Sequence, residues 1–206
     1  MPHIVIKSPA KINLALDILG KDAHSPYHFI QTVYYEIPFW DEVIIEEWKN
    51  KVLADVSQNC IQIRWLPITT NLIQQNMGAA IILNQNEYLL DHHAFTEPLE
   101  KDNLAYKAAK LMFDELHFQK NIRITIKKNI PERSGLGGGS SNAAAVLKGL
   151  NTLYNLGLDS DRLRTFGEKL GMDVPFFIEG GTALGTHFGE KIEKLPYAPL
   201  NIRLFH

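Results

Sequence analysis

Cysteine is almost missing from this chain of 206 residues, with Cys60 standing alone. No internal disulfide can form, and a metal site built from clustered cysteines is excluded. Cys60 reads as a small buried hydrophobe rather than a nucleophile. Charge of one sign is also scarce: 21 Lys and Arg nearly balance 23 Asp and Glu, for a formal net charge of −2. No basic run is longer than the pair Lys127-Lys128, so nothing favours a nucleic-acid surface. Long apolar runs are lacking, which leaves no membrane-spanning helix. Met1 to Ser8 has no basic start followed by an apolar stretch, so a secretory leader is not expected. A soluble, cytoplasmic protein is the expectation.

What is present is an ordinary globular composition, 45% hydrophobic and 21% charged. That length allows one large domain or two small ones with a sizeable core. The chain is organised around Pro131-Glu132-Arg133-Ser134-Gly135-Leu136-Gly137-Gly138-Gly139-Ser140-Ser141-Asn142. The alternation from Ile122 to Lys128 predicts a strand before it, and the spacing of Val146, Leu147, Leu150 and Leu153 predicts a helix after it. A strand, a glycine loop and a helix N-terminus together offer unpaired N–H groups and the positive end of a dipole, which suits phosphate. Gly137, Gly138 and Gly139 lack Cβ atoms and let backbone approach a ligand. Ser140 and Ser141 add hydroxyls that can bond phosphate oxygens or stand near a magnesium ion. No lysine follows as a Walker A loop requires, and Ser140 stands where a dinucleotide fingerprint needs its third glycine.

Two further segments carry chemistry. His3 to Lys7 reads as a strand, and from Ser8 the residues Ile12, Leu14, Leu16 and Ile18 alternate with Asn13, Ala15 and Asp17. That predicts a core face of apolar residues and a polar face with Lys11 and Asn13. After a turn-rich stretch to Pro26 come Tyr27 and His28, a pair that by itself reads as packing or surface. Strand-like runs follow to Trp48. Far along the chain, Asp159 or Ser160 caps a helix ending at Gly171, and Pro175 biases Val174 toward extended geometry. Asp173 is thereby placed at a helix-to-strand junction, as a catalytic carboxylate or a turn cap. Asp102 or Asn103 caps a helix carrying Leu104, Ala108, Leu111 and Met112. Between them, about 49–98 reads as an insertion, with a strand over Cys60 to Leu66 and helical character over Asn71 to Leu83. His92 and His93 there have no partners at ligand spacing.

The glycine-rich stretch resembles the ATP loop of the galactokinase, homoserine kinase, mevalonate kinase and phosphomevalonate kinase (GHMP) superfamily. Its wording, with Pro-Ala-Lys-Ile-Asn-Leu at 9–14, Tyr-His-x-x-Gln-Thr at 27–32 and Gly-x-Asp-Val-Pro-Phe-Phe at 171–177, is similar to the 4-diphosphocytidyl-2-C-methyl-D-erythritol kinase family. The resemblance implies an α+β fold, the GHMP kinase amino-terminal domain, similar to the second domain of ribosomal protein S5. It also implies transfer of the γ-phosphoryl of ATP to the 2-hydroxyl of 4-diphosphocytidyl-2-C-methyl-D-erythritol. On that basis Lys11 and Asp173 are catalytic. Pro131, Gly135, Leu136, Gly137, Gly138, Gly139, Ser140 and Ser141 hold ATP, and Asn13, Tyr27 and His28 hold the acceptor. Magnesium is implied by the triphosphate, not by a protein ligand set. The family continues into a carboxy-terminal domain that this chain lacks, so the expectation is a half-built cleft and a poor catalyst. Val174, Phe176 and Phe177 are expected near an exposed apolar face, with a strand starting around Leu200, Ile202, Leu204 and Phe205. A non-catalytic nucleotide-binding fragment and another GHMP kinase remain as alternatives.

Overall fold

The structure, a computed structural model, describes residues 2–47, 61–67, 102–118, 120–197 and 199–202. Cys60, the helical stretch expected at 71–83, His92, His93, Leu204 and Phe205 lie outside the described residues, as does most of the insertion.

Two long strands carry the architecture. β1 (His3–Lys21) and β2 (His28–Glu47) pair antiparallel along nearly their whole length. The two runs expected in the first segment are therefore one strand. On its other edge β2 pairs antiparallel with β4 (Ile122–Lys128) through residues 42–47, and with β5 (Thr182–Thr186) through residues 32–35. β3 (Ile61–Pro67) joins β4 in parallel, and β6 (Lys191–Leu195) closes the far side antiparallel to β5. Glu36 to Asp41 fall in neither of the two ladders on that second edge. The glycine loop leaves β4 beside this stretch.

Helices cover the sheet. α1 (Leu104–Leu116) starts at Asn103, whose side chain accepts from Ala105 N at 2.8 Å. α2 (Gly138–Leu153) opens directly out of the glycine loop, and its Ala143, Ala144, Val146, Leu147 and Leu150 are buried. Its small residues let it sit close on the sheet: a Cβ on Gly149 would stand 2.6 Å from Ile45 Cδ1 and Ile6 Cδ1. α3 (Ser160–Leu170) is capped by Asp159, which accepts from Arg162 N at 2.8 Å. α4 (Val174–Glu179) follows, with Pro175 in its first turn, where a missing N–H costs nothing. Asp173 thus leads into a short helix, not a strand. Pro175 restricts the residue before it, but at a helix start that restriction was compatible with a turn.

Three other expectations are corrected. Val174, Phe176 and Phe177 are buried in the main core with Tyr34, Val43, Ile45 and the α1 and α2 side chains. The whole run Val174 to Ile178 is buried, so the short helix is enclosed on every side and leaves no apolar face to a surface. Residues 199–202 form no strand; Leu200 N donates to Tyr35 Oη at 3.1 Å, and Ile202 packs on a second cluster of Ala10, Tyr35, Ile37, Phe39 and Ile130. On β1 the expected apolar core face does not extend beyond Ile12, and residues 14–21 are exposed on both faces. Leu14, Leu16 and Ile18 are 45%, 53% and 69% exposed, whereas Lys11 is buried. Register shifts between Pro9 and Ala10 and between Asn13 and Ala15 interrupt the alternation, and of the expected polar face Lys11 and Asn13 alone turn inward, to Asp173 and Thr32. Among the described residues no helix is long and apolar enough to cross a membrane.

One buried carboxylate ties these parts together. Asp41, wholly shielded from water, accepts from Asn129 N at 2.7 Å and Ile130 N at 2.8 Å, both at the start of the glycine loop. Its other oxygen accepts from Lys128 Nζ and from Asn142 Nδ2, the fifth residue of α2. Asn142 Nδ2 also donates to Ser8 Oγ at 2.8 Å, and Ser8 Oγ donates to Ser141 Oγ at 2.8 Å. β1, β2, β4 and α2 meet in this network. Removing one partner of a buried charge pair costs about 3–5 kcal/mol, a large part of a typical domain stability of about 5–15 kcal/mol. Asp41→Ala should therefore lower the urea midpoint severely, and equilibrium unfolding followed by circular dichroism checks it. A midpoint within error of wild type would remove the network from the account.

Candidate active site

The site is assembled where β1, the glycine loop and the start of α4 converge. Lys11 N donates to Leu136 O at 2.9 Å, which stitches β1 to the loop. The Lys11 side chain then runs beneath the loop: a Cβ on Gly137 would stand 3.1 Å from Lys11 Cγ and 2.8 Å from Phe177 Cζ. Gly137 also has φ +73°, in the left-handed region. Its identity is thus required by the protein's own packing before any ligand is considered. Gly139 differs, since a Cβ there meets only Leu104 Cδ1 at 3.8 Å, an ordinary contact.

Gly137 is the N-cap of α2 and has no side chain to offer as a cap. The first intrahelical bond from the loop is Ser141 N to Gly137 O at 2.9 Å. The N–H groups of Gly138, Gly139 and Ser140 precede it and are left for an external acceptor. Ser134 Oγ donates to Pro131 O at 2.8 Å and steadies the exposed bend at Gly135. Ser140 is half-buried at the helix mouth. Ser141 is turned inward, and both its N–H and its hydroxyl oxygen already have partners.

Lys11 Nζ stands 3.5 Å from Asp173 Oδ2, bringing together two residues 162 positions apart in sequence. Lys11 Nζ also donates to Asn13 Oδ1 at 2.7 Å, and Asn13 Nδ2 donates to Thr32 Oγ1 at 2.6 Å. Thr32 in turn donates to Ala15 O at 2.7 Å. Asp173 receives Tyr34 Oη on Oδ1 at 2.9 Å, and burial above all, with the adjacent Asp173 charge, pushes the Tyr34 phenol's pKa well up. The cationic Lys11, an ionisable carboxylate and open N–H groups thus share one small region, a set suited to moving a phosphoryl group.

Tyr27 and His28 lie apart from this constellation, at the β1–β2 turn. Tyr27 is tilted on Phe188 with centroids 5.3 Å apart, and Phe188 stacks on Phe29 at 5.2 Å. His28 is exposed. Lys127 pairs with Glu42, and Lys128 is the lysine next to the loop. Asp41, Tyr34 and Ser8 were not singled out by sequence reasoning, and Thr32 entered only as the end of the motif at 27–32. Asp41 left a signal, because it shares the alternation of Val43 and Ile45 and so puts a carboxylate on a core face. Among the described residues no three His, Cys, Asp or Glu side chains converge to hold a metal.

Residues 103–181 match the family described as GHMP kinases N terminal domain. The 4-diphosphocytidyl-2-C-methyl-D-erythritol kinase of Clostridioides difficile (strain 630) is 36% identical over 204 residues, 99% of this chain and 57% of that protein. The enzyme of the same name from Geobacillus sp. (strain WCH70) is 40% identical over 197 residues, 96% of this chain and 56% of its own length. A crystal structure of a 4-(cytidine 5'-diphospho)-2C-methyl-D-erythritol kinase superposes with a TM-score of 0.62 at 28% identity, covering 93% of this chain and 55% of that one. The chain spans a little over half the length of the curated relatives it matches. It carries the GHMP kinase amino-terminal domain fold and is a relative of the 4-diphosphocytidyl-2-C-methyl-D-erythritol kinases.

Proposed function

We propose that the chain supplies the ATP loop and the transfer residues of a cytoplasmic kinase acting on the 2-hydroxyl of 4-diphosphocytidyl-2-C-methyl-D-erythritol. Residues 1–206 then form a GHMP amino-terminal domain with an inserted segment at about 49–98. The observation that carries the reading is the 3.5 Å approach of Lys11 to Asp173 directly beside the open end of α2. Phosphoryl transfer demands position and charge stabilisation more than covalent chemistry from the protein. The free N–H groups of Gly138 to Ser140 hold the triphosphate. Lys11 offsets charge on the moving phosphoryl group, and Asn13 steadies Lys11 while facing the acceptor. As the acceptor oxygen bonds to the γ-phosphorus, the bond from that phosphorus to the β-phosphate breaks and ADP departs. The acceptor's hydroxyl proton passes to Asp173. A magnesium ion arriving with ATP would take its ligands mainly from phosphate oxygens and water, and would neutralise phosphate charge there. Tyr27 and His28 receive the cytosine, with Phe188 and Phe29 backing the tyrosine ring. Neither a nucleic acid nor a membrane enters this function.

Gly139→Val tests the loop without burdening the fold, because the protein leaves room for a side chain there. Calorimetric titration should show ATP affinity falling at least about tenfold at an unchanged melting temperature. Equal affinity in the folded variant takes the loop out of the site.

Lys11→Met and Asp173→Asn should each lower kcat by roughly a hundredfold or more. The double variant should lose little beyond the worse single one, since groups acting as a unit are not additive. Losses that multiply would mean the two residues do not cooperate, and ATP binding with no transfer by wild type would favour a nucleotide-binding fragment.

Replacing Tyr27 and His28 together by Ala should raise the acceptor KM about tenfold, the scale of one lost base stack, at constant ATP affinity. If steady-state kinetics show ATP affected first, the acceptor's cytosine lies elsewhere.

A further inference from the structure

We infer that Tyr34 is a positioning residue for Asp173, whose hydroxyl holds one carboxylate oxygen so that the other is presented to Lys11 and the acceptor. The inference rests on the phosphoryl-transfer reading above and assigns a residue that none of the sequence motifs contains. Tyr34 lies in β2 with its ring shut into the core, stacked on Phe176 at 4.8 Å between centroids. Its hydroxyl donates to Asp173 Oδ1 at 2.9 Å, while Oδ2 faces Lys11 Nζ at 3.5 Å. Asp173 stands at the N-cap of α4, yet its side chain makes no capping hydrogen bond. The terminal torsion of a carboxylate is soft, so Tyr34 and Lys11 together fix which oxygen points where.

Two glycines make room for this arrangement. A Cβ on Gly185 would stand 2.5 Å from Tyr34 Cε2, and one on Gly189 would stand 2.6 Å from the Tyr34 hydroxyl oxygen. Gly189 also has φ +110°, so a side chain there is disfavoured twice over. The next residue, Glu190, is a buried carboxylate held by His187 Nδ1 at 2.6 Å and by Phe188 N at 2.9 Å. The charged groups around Tyr34 are therefore Asp173, Glu190 and Lys11, whose ammonium lies 5.4 Å from the ring centroid. Burial, then Asp173, then Glu190 all oppose ionisation of the phenol and push its pKa well up. Tyr34 consequently remains a hydrogen-bond donor at any pH near neutrality, which is what a permanent orienting contact requires.

Tyr34→Phe keeps the ring and removes the hydroxyl. ATP affinity and acceptor KM should stay within about twofold of wild type, while kcat falls roughly tenfold to a hundredfold, the range for a hydrogen bond to a charged group. An unchanged kcat, or a loss confined to KM, overturns the inference. A second readout needs no turnover. With tyrosines labelled with carbon-13 at Cζ, the Tyr34 resonance of the wild-type chain should stay unionised to about pH 11. It should also shift more than any other tyrosine in Asp173→Ala. A Tyr34 signal that titrates with the exposed tyrosines, or that ignores Asp173→Ala, overturns the contact itself. Absence of phosphoryl transfer in the full-length wild-type protein overturns the kinase reading and the positioning role with it, while the tyrosine signal still decides the hydrogen bond separately.

Discussion

A carboxylate taken wholly out of water must find donors for its lone pairs, and Asp41 finds four. Two are backbone N–H groups at the root of the glycine loop, and two are side chains from β4 and α2. A glycine-rich loop has little side-chain packing to locate it, so its position must be imposed from outside. Asp41 imposes it. The strand that carries Asp41 also carries Tyr34, and its partner β1 carries Lys11. The same sheet therefore fixes the loop, the lysine and the group that touches Asp173.

The cost of this arrangement is concentrated in polar contacts within the protein. Lys11 and Asn13 of β1 and Thr32 of β2 form a chain of hydrogen bonds on the side that apolar patterning of β1 would have turned to solvent. Beyond them, residues 14–21 are exposed on both faces of β1. Hydrophobic pattern lost to polar complementarity here because a buried lysine with an acceptor and a carboxylate nearby is tolerable, whereas a misplaced one is not. Ser141 shows the same division of labour. Its neighbours in sequence open toward a ligand, while its own hydroxyl accepts from Ser8 and locks the helix start to β1.

The parts legible in the sequence were those with local causes. Alternation over Ile122 to Lys128, the caps Asn103 and Asp159, and the strand-loop-helix junction all follow from short-range rules. Lys11 and Asp173 were named from the motifs they resemble, and the structure shows that their side chains meet; the fold lay beyond periodicity alone. What escaped was set by long-range contact. Nothing near Asp173 announces a helix after Pro175 until Phe176 and Phe177 have a core to enter. Nothing near Tyr34 announces a donor until Asp173 arrives from 139 residues away. The register shifts in β1 depend on β2 and break the two-residue period on which its faces were assigned.

Everything proposed for the site depends on where the terminal phosphate of ATP rests. A crystal structure of the chain with a non-hydrolysable ATP analogue measures that directly. The γ-phosphate is predicted to sit against the N–H groups of Gly138 to Ser140 and within hydrogen-bond reach of Lys11 Nζ, on the side of Asp173 Oδ2. An analogue bound with its γ-phosphate away from both the α2 N-terminus and Lys11 would contradict it.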